Sequence, residues 1–200
     1  MDNREKNLKY IREVKPEEIK WTKLFGAYSC GKKIGEEIKK GNLLNLKVLK
    51  NIENEIEHQS TLWTLTPFVM IFLTRELEKE YGSKKEEFYY LLGIYKLIVE
   101  TLKFIKENAL GKDSFNNLEI YLNMEEFFDI GLDLEDFEDE EEYEEYIEAH
   151  FEEENLEKEF NSAFYYTNFI VENSKDIIKK FLTVEDGKIK NLAKEILEKL

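Results

Sequence analysis

Disulfide chemistry is closed to this chain, because Cys30 is its only cysteine and has no partner within the molecule. Secreted domains tend to carry an even set, so the expected compartment is the cytoplasm. Proline and glycine are scarce too, 2 and 9 in 200 residues, which leaves few turns and favours long helices. The most apolar stretch, Leu62 to Leu73, is broken by Thr64, Thr66 and Pro67 and falls short of the ~20 residues a bilayer crossing needs. The opening Met1-Asp2-Asn3-Arg4-Glu5-Lys6 is charged and leads into no apolar segment, which predicts the absence of a signal peptide. Bases are in deficit as well. With 29 Lys+Arg against 44 Asp+Glu, a formal charge of −15 repels nucleic-acid phosphates and anionic membranes, and neither is an expected partner. What is present is core material, 42% hydrophobic and 14% aromatic residues, and this excludes disorder throughout.

The charge is concentrated in one place. Residues 125–159 hold 19 acids and one base, Lys158, for a net of −18, while the other 165 residues hold 25 acids and 28 bases. The first half reads as successive helices. Pro16-Glu17-Glu18 is a helix start carrying Ile19, Trp21 and Leu24 inward to a stop near Gly26. Ser29 or Gly31 opens a helix that ends at Gly41, and Asn42 caps a longer one with Leu43, Leu46, Leu49, Ile52 and Ile56 on a single face. That helix ends at His58-Gln59, and Ser60 or Thr61 caps the apolar central element. Pro67 either kinks this element or, with Thr66 as cap, marks its start. Phe88 to Ile105 form a further amphipathic helix. Leu118 to Phe128 reads as helix, Ile130 to Phe137 as irregular, and the region beyond residue 160 again as helices, with no β-hairpin signature and no linker. The expectation is one all-α domain over residues 1–200.

Familiar chemistry is absent. A nucleophile would have to use Cys30 or a serine with His58 or His150, none of them in a recognisable motif. Two histidines and a cysteine without Cys-x-x-Cys or His-Glu-x-x-His spacing do not make a zinc site. Asp129, Asp133, Glu135 and Asp136 lack the EF-hand order, since Gly131 comes too early for the calcium-loop glycine. Neither a metal nor a cofactor is expected, and no enzymatic reaction is assigned; a small cationic substrate held among carboxylates is the residual catalytic reading.

Three short segments carry a resemblance: Phe25-Gly26-Ala27-Tyr28-Ser29, then His58-Gln59-Ser60-Thr61, then Pro67-Phe68. In this order they resemble a bacterial family of HEAT-like helical repeat proteins with the pattern Ala-Tyr-Gly, His-Gln-Gly-Thr and Pro-Phe. The likeness spans about residues 18–80 and departs from the pattern at Ser29 and at Ser60, where glycine is usual. It implies a HEAT-like stack of antiparallel helix pairs used for protein binding, HEAT-like over 18–110, with some relatives resembling immunity proteins of toxin systems. Apart from the family, His58, Gln59 and Thr61 have polar groups able to satisfy the free helix ends at this turn, ahead of Pro67, and the competing reading is a ligand site.

The acidic segment admits two readings. Blocks of like charge are usually solvated. Here, however, Tyr143, Tyr146, Ile147, His150 and Phe151 recur at helical spacing, a face that can dock. If it does, Asp136, Glu138, Asp139, Glu141, Glu142, Glu144, Glu145, Glu148 and Glu152 become an outward acidic surface suited to a basic protein such as a toxin nuclease. The alternative is a structural adaptor that assembles partners through its helical concave face, the acids serving solubility.

Overall fold

The computed structural model describes residues 2–79, 82, 84–108, 121–129, 133–150 and 154–200, and these are predominantly helical. The Leu118–Phe128 and Ile130–Phe137 expectations and Phe151 and Glu152 fall partly or wholly outside the described residues. Helix α1 (Asn3–Glu13) was not signalled by hydrophobic period, because its buried residue is Asn7, whose amide donates to the Tyr166 hydroxyl at 2.9 Å. Asp2 caps its start, and the Arg75 guanidinium donates to the carbonyls of Ile11 and Val14 at its end, both at 2.6 Å.

The helix expected from Pro16 is replaced by two 3-10 turns, Pro16–Glu18 and Trp21–Lys23, with Ile19 extended between them. Trp21 sets this path. Its indole N–H donates to the Pro16 carbonyl at 2.8 Å, and its ring lies where a Cβ on Gly35 would come within 2.2 Å. Helix α2 (Lys32–Lys39) starts from Gly31 and stops at Gly41, whose φ of +72° is glycine territory. Helix α3 (Leu46–Ile56) is capped by Asn45, not Asn42: the Asn45 side chain accepts from the amides of Lys47 and Val48, whereas the Asn42 amide is drawn to Glu37. Leu43 is buried ahead of the helix.

A two-residue hairpin follows where none was expected, β1 (Glu57–His58) pairing antiparallel with β2 (Thr61–Leu62). Gln59 and Ser60 turn it with φ of +50° and +62°. Such turns are usually announced by Asn-Gly or Gly, and strands of two residues offer no alternation to read. Helix α4 (Leu65–Leu77) settles the role of Pro67, which sits in its first turn with Thr64, not Thr66, flanking the helix. Nine consecutive residues from Leu65 to Leu73 are buried. This is the central rod, against which α3, α5 (Lys85–Asn108) and α7 (Glu154–Asn173) pack. Residues 121–129 hold only a 3-10 turn, Glu126–Phe128, because Asn123 draws the amides of Glu125 and Glu126 to its side chain. Helix α6 (Glu140–His150) precedes α7; α8 (Lys175–Lys180) and α9 (Gly187–Lys199) follow, with α9 lying along α5.

The left-handed backbone at Ser60 makes a prediction. A non-glycine residue there costs about 1–2 kcal/mol, and glycine returns part of that to unfolded-state entropy. Ser60→Gly is expected to raise stability by up to ~1 kcal/mol in urea unfolding monitored by far-UV circular dichroism.

Candidate functional site

The loop from Phe25 to Cys30 meets the hairpin at His58 and the start of α4 at Thr64 and Leu65. Phe25 donates its amide to the Thr64 hydroxyl at 2.7 Å, and its carbonyl accepts from the Leu65 amide at 3.0 Å. Glu55, at the end of α3, closes the other side. Its carboxylate accepts the amides of Tyr28 and Ser29 and the Ser29 hydroxyl at 2.9–3.1 Å, and its carbonyl accepts the Ala27 amide. A Cβ on Gly26 would sit 2.4 Å from that carboxylate, so only glycine permits the approach.

Of the motif residues read from sequence, His58 braces Tyr28. Its ring meets the tyrosine edge to face at 5.1 Å between centroids, with Nδ1 3.0 Å from the phenol oxygen. Gln59 is the exposed turn residue, Thr61 pairs with His58 across the hairpin, and Pro67 is buried at the base of α4. The free backbone groups are satisfied by others. Thr66 donates to the Ile56 carbonyl at 2.6 Å and accepts the Trp63 amide, while Glu57 accepts the Ser60 amide. Glu55, Thr64 and Thr66 were missed, since ties between distant segments leave no local pattern.

The inward side of the loop seats the acidic helix. Phe25, Cys30, Tyr143, Ile147 and Phe160 form a second core cluster, joined by Trp63, Leu134 and Phe137. Tyr143 meets Phe25 at 5.7 Å and Phe137 at 5.1 Å, both edge to face. Tyr143 and Ile147 are 2% and 3% exposed, so the helical spacing in the acidic run does mark a buried face. The energies favour seating. Five Glu pairs at i,i+3 or i,i+4 between 141 and 148 repel by roughly 1–2.5 kcal/mol together. Burying two large side chains returns about 3–6 kcal/mol.

Seating aims the carboxylates outward. Glu141, Glu145 and Glu148 lie exposed along one stripe, with Asp136, Glu138, Asp139 and Glu142 exposed at its N-terminal end and Glu144 half-buried beside it. Two of these also serve the helix start, Asp139 accepting the Glu142 amide at 2.9 Å and Glu142 accepting the Glu138 amide at 2.7 Å. Glu152 lies outside the described residues.

Near the start of α7 is an acid that the sequence hid among eighteen others. Glu159, on α7, is 6% exposed. Burial lifts its carboxyl to about 8 despite the opposing pull of the Lys23 ammonium. Burial also lifts the Tyr143 phenol well above its usual range, with Glu159, Cys30 and Asp133 adding to the effect.

Among the described residues no group of three or more His, Cys, Asp or Glu is placed to hold a metal, and no helix is long and apolar enough to cross a membrane. Neither family models nor curated proteins nor solved structures yield a match to this chain.

The seat predicts its own loss. An 11-residue helix rich in like charges does not persist alone. Tyr143→Ala, removing about 3–5 kcal/mol of ring packing, is expected to abolish amide-exchange protection over residues 141–149 while α4 and α5 keep theirs. By contrast Tyr28, 56% exposed, is expected to tolerate alanine within about 0.5 kcal/mol in the same unfolding assay.

Proposed function

We propose that this protein binds a basic protein through the stripe Glu141, Glu145 and Glu148 of α6 and its acidic approach from Asp136. The observation that carries the reading is that these carboxylates stand on a helix seated by Tyr143 and Ile147. A solvating tail has no need of such a seat. A fixed row of like charge stores repulsion that an oppositely charged surface relieves, and it speeds encounter with one. The fitting partner has a cationic groove, as a nuclease has for phosphate. Covering that groove blocks the nuclease without any chemistry in this protein, which needs no cofactor or metal for the task.

The role is that of a cytoplasmic immunity protein that neutralises a cognate toxin. The resemblance of residues 18–80 to HEAT-like helical proteins supports it, with α2, α3 and α4 as repeat helices. The adaptor reading has one observation in its favour. Tyr28 projects from a tightly bonded loop beside an open groove of about 770 Å³ between α2 and α3, lined by Glu36, Asn51 and Asn54 among others.

The two readings separate in one experiment, with the product of the adjacent gene as the binding partner. In the immunity reading, affinity falls as salt rises from about 50 to 500 mM, as the Debye length shrinks. The triple variant Glu141→Lys, Glu145→Lys, Glu148→Lys weakens binding by about 100-fold or more in calorimetry. Binding that ignores salt and charge reversal, yet is lost in Tyr28→Ala, overturns this reading in favour of the adaptor.

A further inference from the structure

We infer that the cavity between α1, α4 and the junction of α7 with α8 is a binding site for a single-chain aliphatic carboxylate, its tail on the cavity's leucine and isoleucines and its head on Arg12 and Arg75. None of the residues lining the cavity belongs to α6, so the inference goes beyond the function proposed above and is tested apart from it.

The cavity measures about 490 Å³, toward the lower end of the range for small-molecule sites. Its wall includes Ile71 and Ile170, which are buried, and Leu8, Ile11 and Ile177, which are half-buried and still carry apolar surface for a ligand to cover. Among the described residues no aromatic ring lines it, so it offers contact to an alkyl chain and nothing for a flat ring to stack on.

The charge of the wall runs against that of the chain. With 44 acids to 29 bases an arginine has carboxylates in plenty to choose from, yet neither Arg12 nor Arg75 is ion-paired among the described residues. Arg75 donates to the carbonyls of Ile11 and Val14 and stands 5.1 Å from the centre of the Phe72 ring, and all of these partners are neutral. Its Nε–H is buried without an acceptor. Burial presses this guanidinium below its usual value, and the Glu78 charge pulls the other way. The neighbouring polar groups are committed elsewhere. Lys79 is paired with Glu76, Asn173 donates to the Phe169 carbonyl at 2.7 Å, and Ser174 is bonded to the Tyr95 hydroxyl and the Val171 carbonyl. Two guanidinium groups thus await a countercharge, and their planar forks suit a carboxylate. Glu78, the one acid in the wall, repels a doubly charged phosphate more than a singly charged head, which favours the carboxylate.

Calorimetry and amide chemical shifts on the full chain test the site, with straight-chain carboxylates as probes. From hexanoate to decanoate the affinity is expected to rise about three- to fourfold per methylene, the return on burying alkyl area. The shifts are expected to cluster at residues 8–12, 71–79 and 170–177. Decyltrimethylammonium, the same tail with the opposite charge, is expected to leave those residues unshifted. Arg75→Gln would also cut the ties to α1, so the charge test uses Arg12, which is exposed. Arg12→Gln is expected to weaken decanoate binding by about five- to tenfold while the circular dichroism stays unchanged. A Kd for decanoate weaker than about 1 mM overturns the inference. So does an affinity that ignores chain length, a cationic probe that shifts the same residues, or an Arg12→Gln variant that binds decanoate like the wild type.

Discussion

The edge of the Tyr143 ring against Phe25 is the contact that makes a structure of the acidic run. A helix whose polar residues are nearly all glutamates repels itself along its length, and the buried area of Tyr143 and Ile147 offsets that repulsion. Phe25 can serve as a fixed seat because its amide and carbonyl are both committed, to Thr64 and Leu65. Those commitments depend in turn on the hairpin at Gln59 and Ser60, which brings the start of α4 back to the loop. The backbone strain at Ser60, the Glu55 cradle and the ring contacts thus form one chain of causes that ends at the outward carboxylates.

How far the sequence could be read follows from where each signal resides. Helices α3, α4 and α5 bury faces or whole rods of Leu, Ile and Phe, and periodicity finds such elements. Helix α1 buries an asparagine and is held by Arg75 from a helix some sixty residues away, so its own residues say little. The turns at Pro16 and Trp21 follow an indole that fits the bare backbone of Gly35, a tertiary match that overrides a good local helix start. Asn42 and Asn45 are equally good caps by composition, and Glu37 decides between them by taking the Asn42 amide.

The candidate site divides in the same way. Tyr143 and Ile147, at i and i+4, were legible as an inward face, and the outward set follows from them geometrically. Glu55 and Thr64 were not, since each acts on backbone groups far along the chain. Glu159 was the least legible of all. In composition it is one acid among 19 in its segment, and only its burial sets it apart. A charge count measures how much charge a segment carries and is silent on which single carboxyl has been withdrawn from water.

Rigidity is what separates a recognition surface from a solubilising one. A mobile acidic tail meeting a cationic groove must lose backbone and side-chain freedom on binding, and much of its electrostatic gain is spent in that ordering. A helix already fixed by Tyr143, Ile147 and its cap at Asp139 has met that cost during folding, so the same carboxylates bind with less to lose. The investment is sensible only if the helix stays put under the conditions of binding.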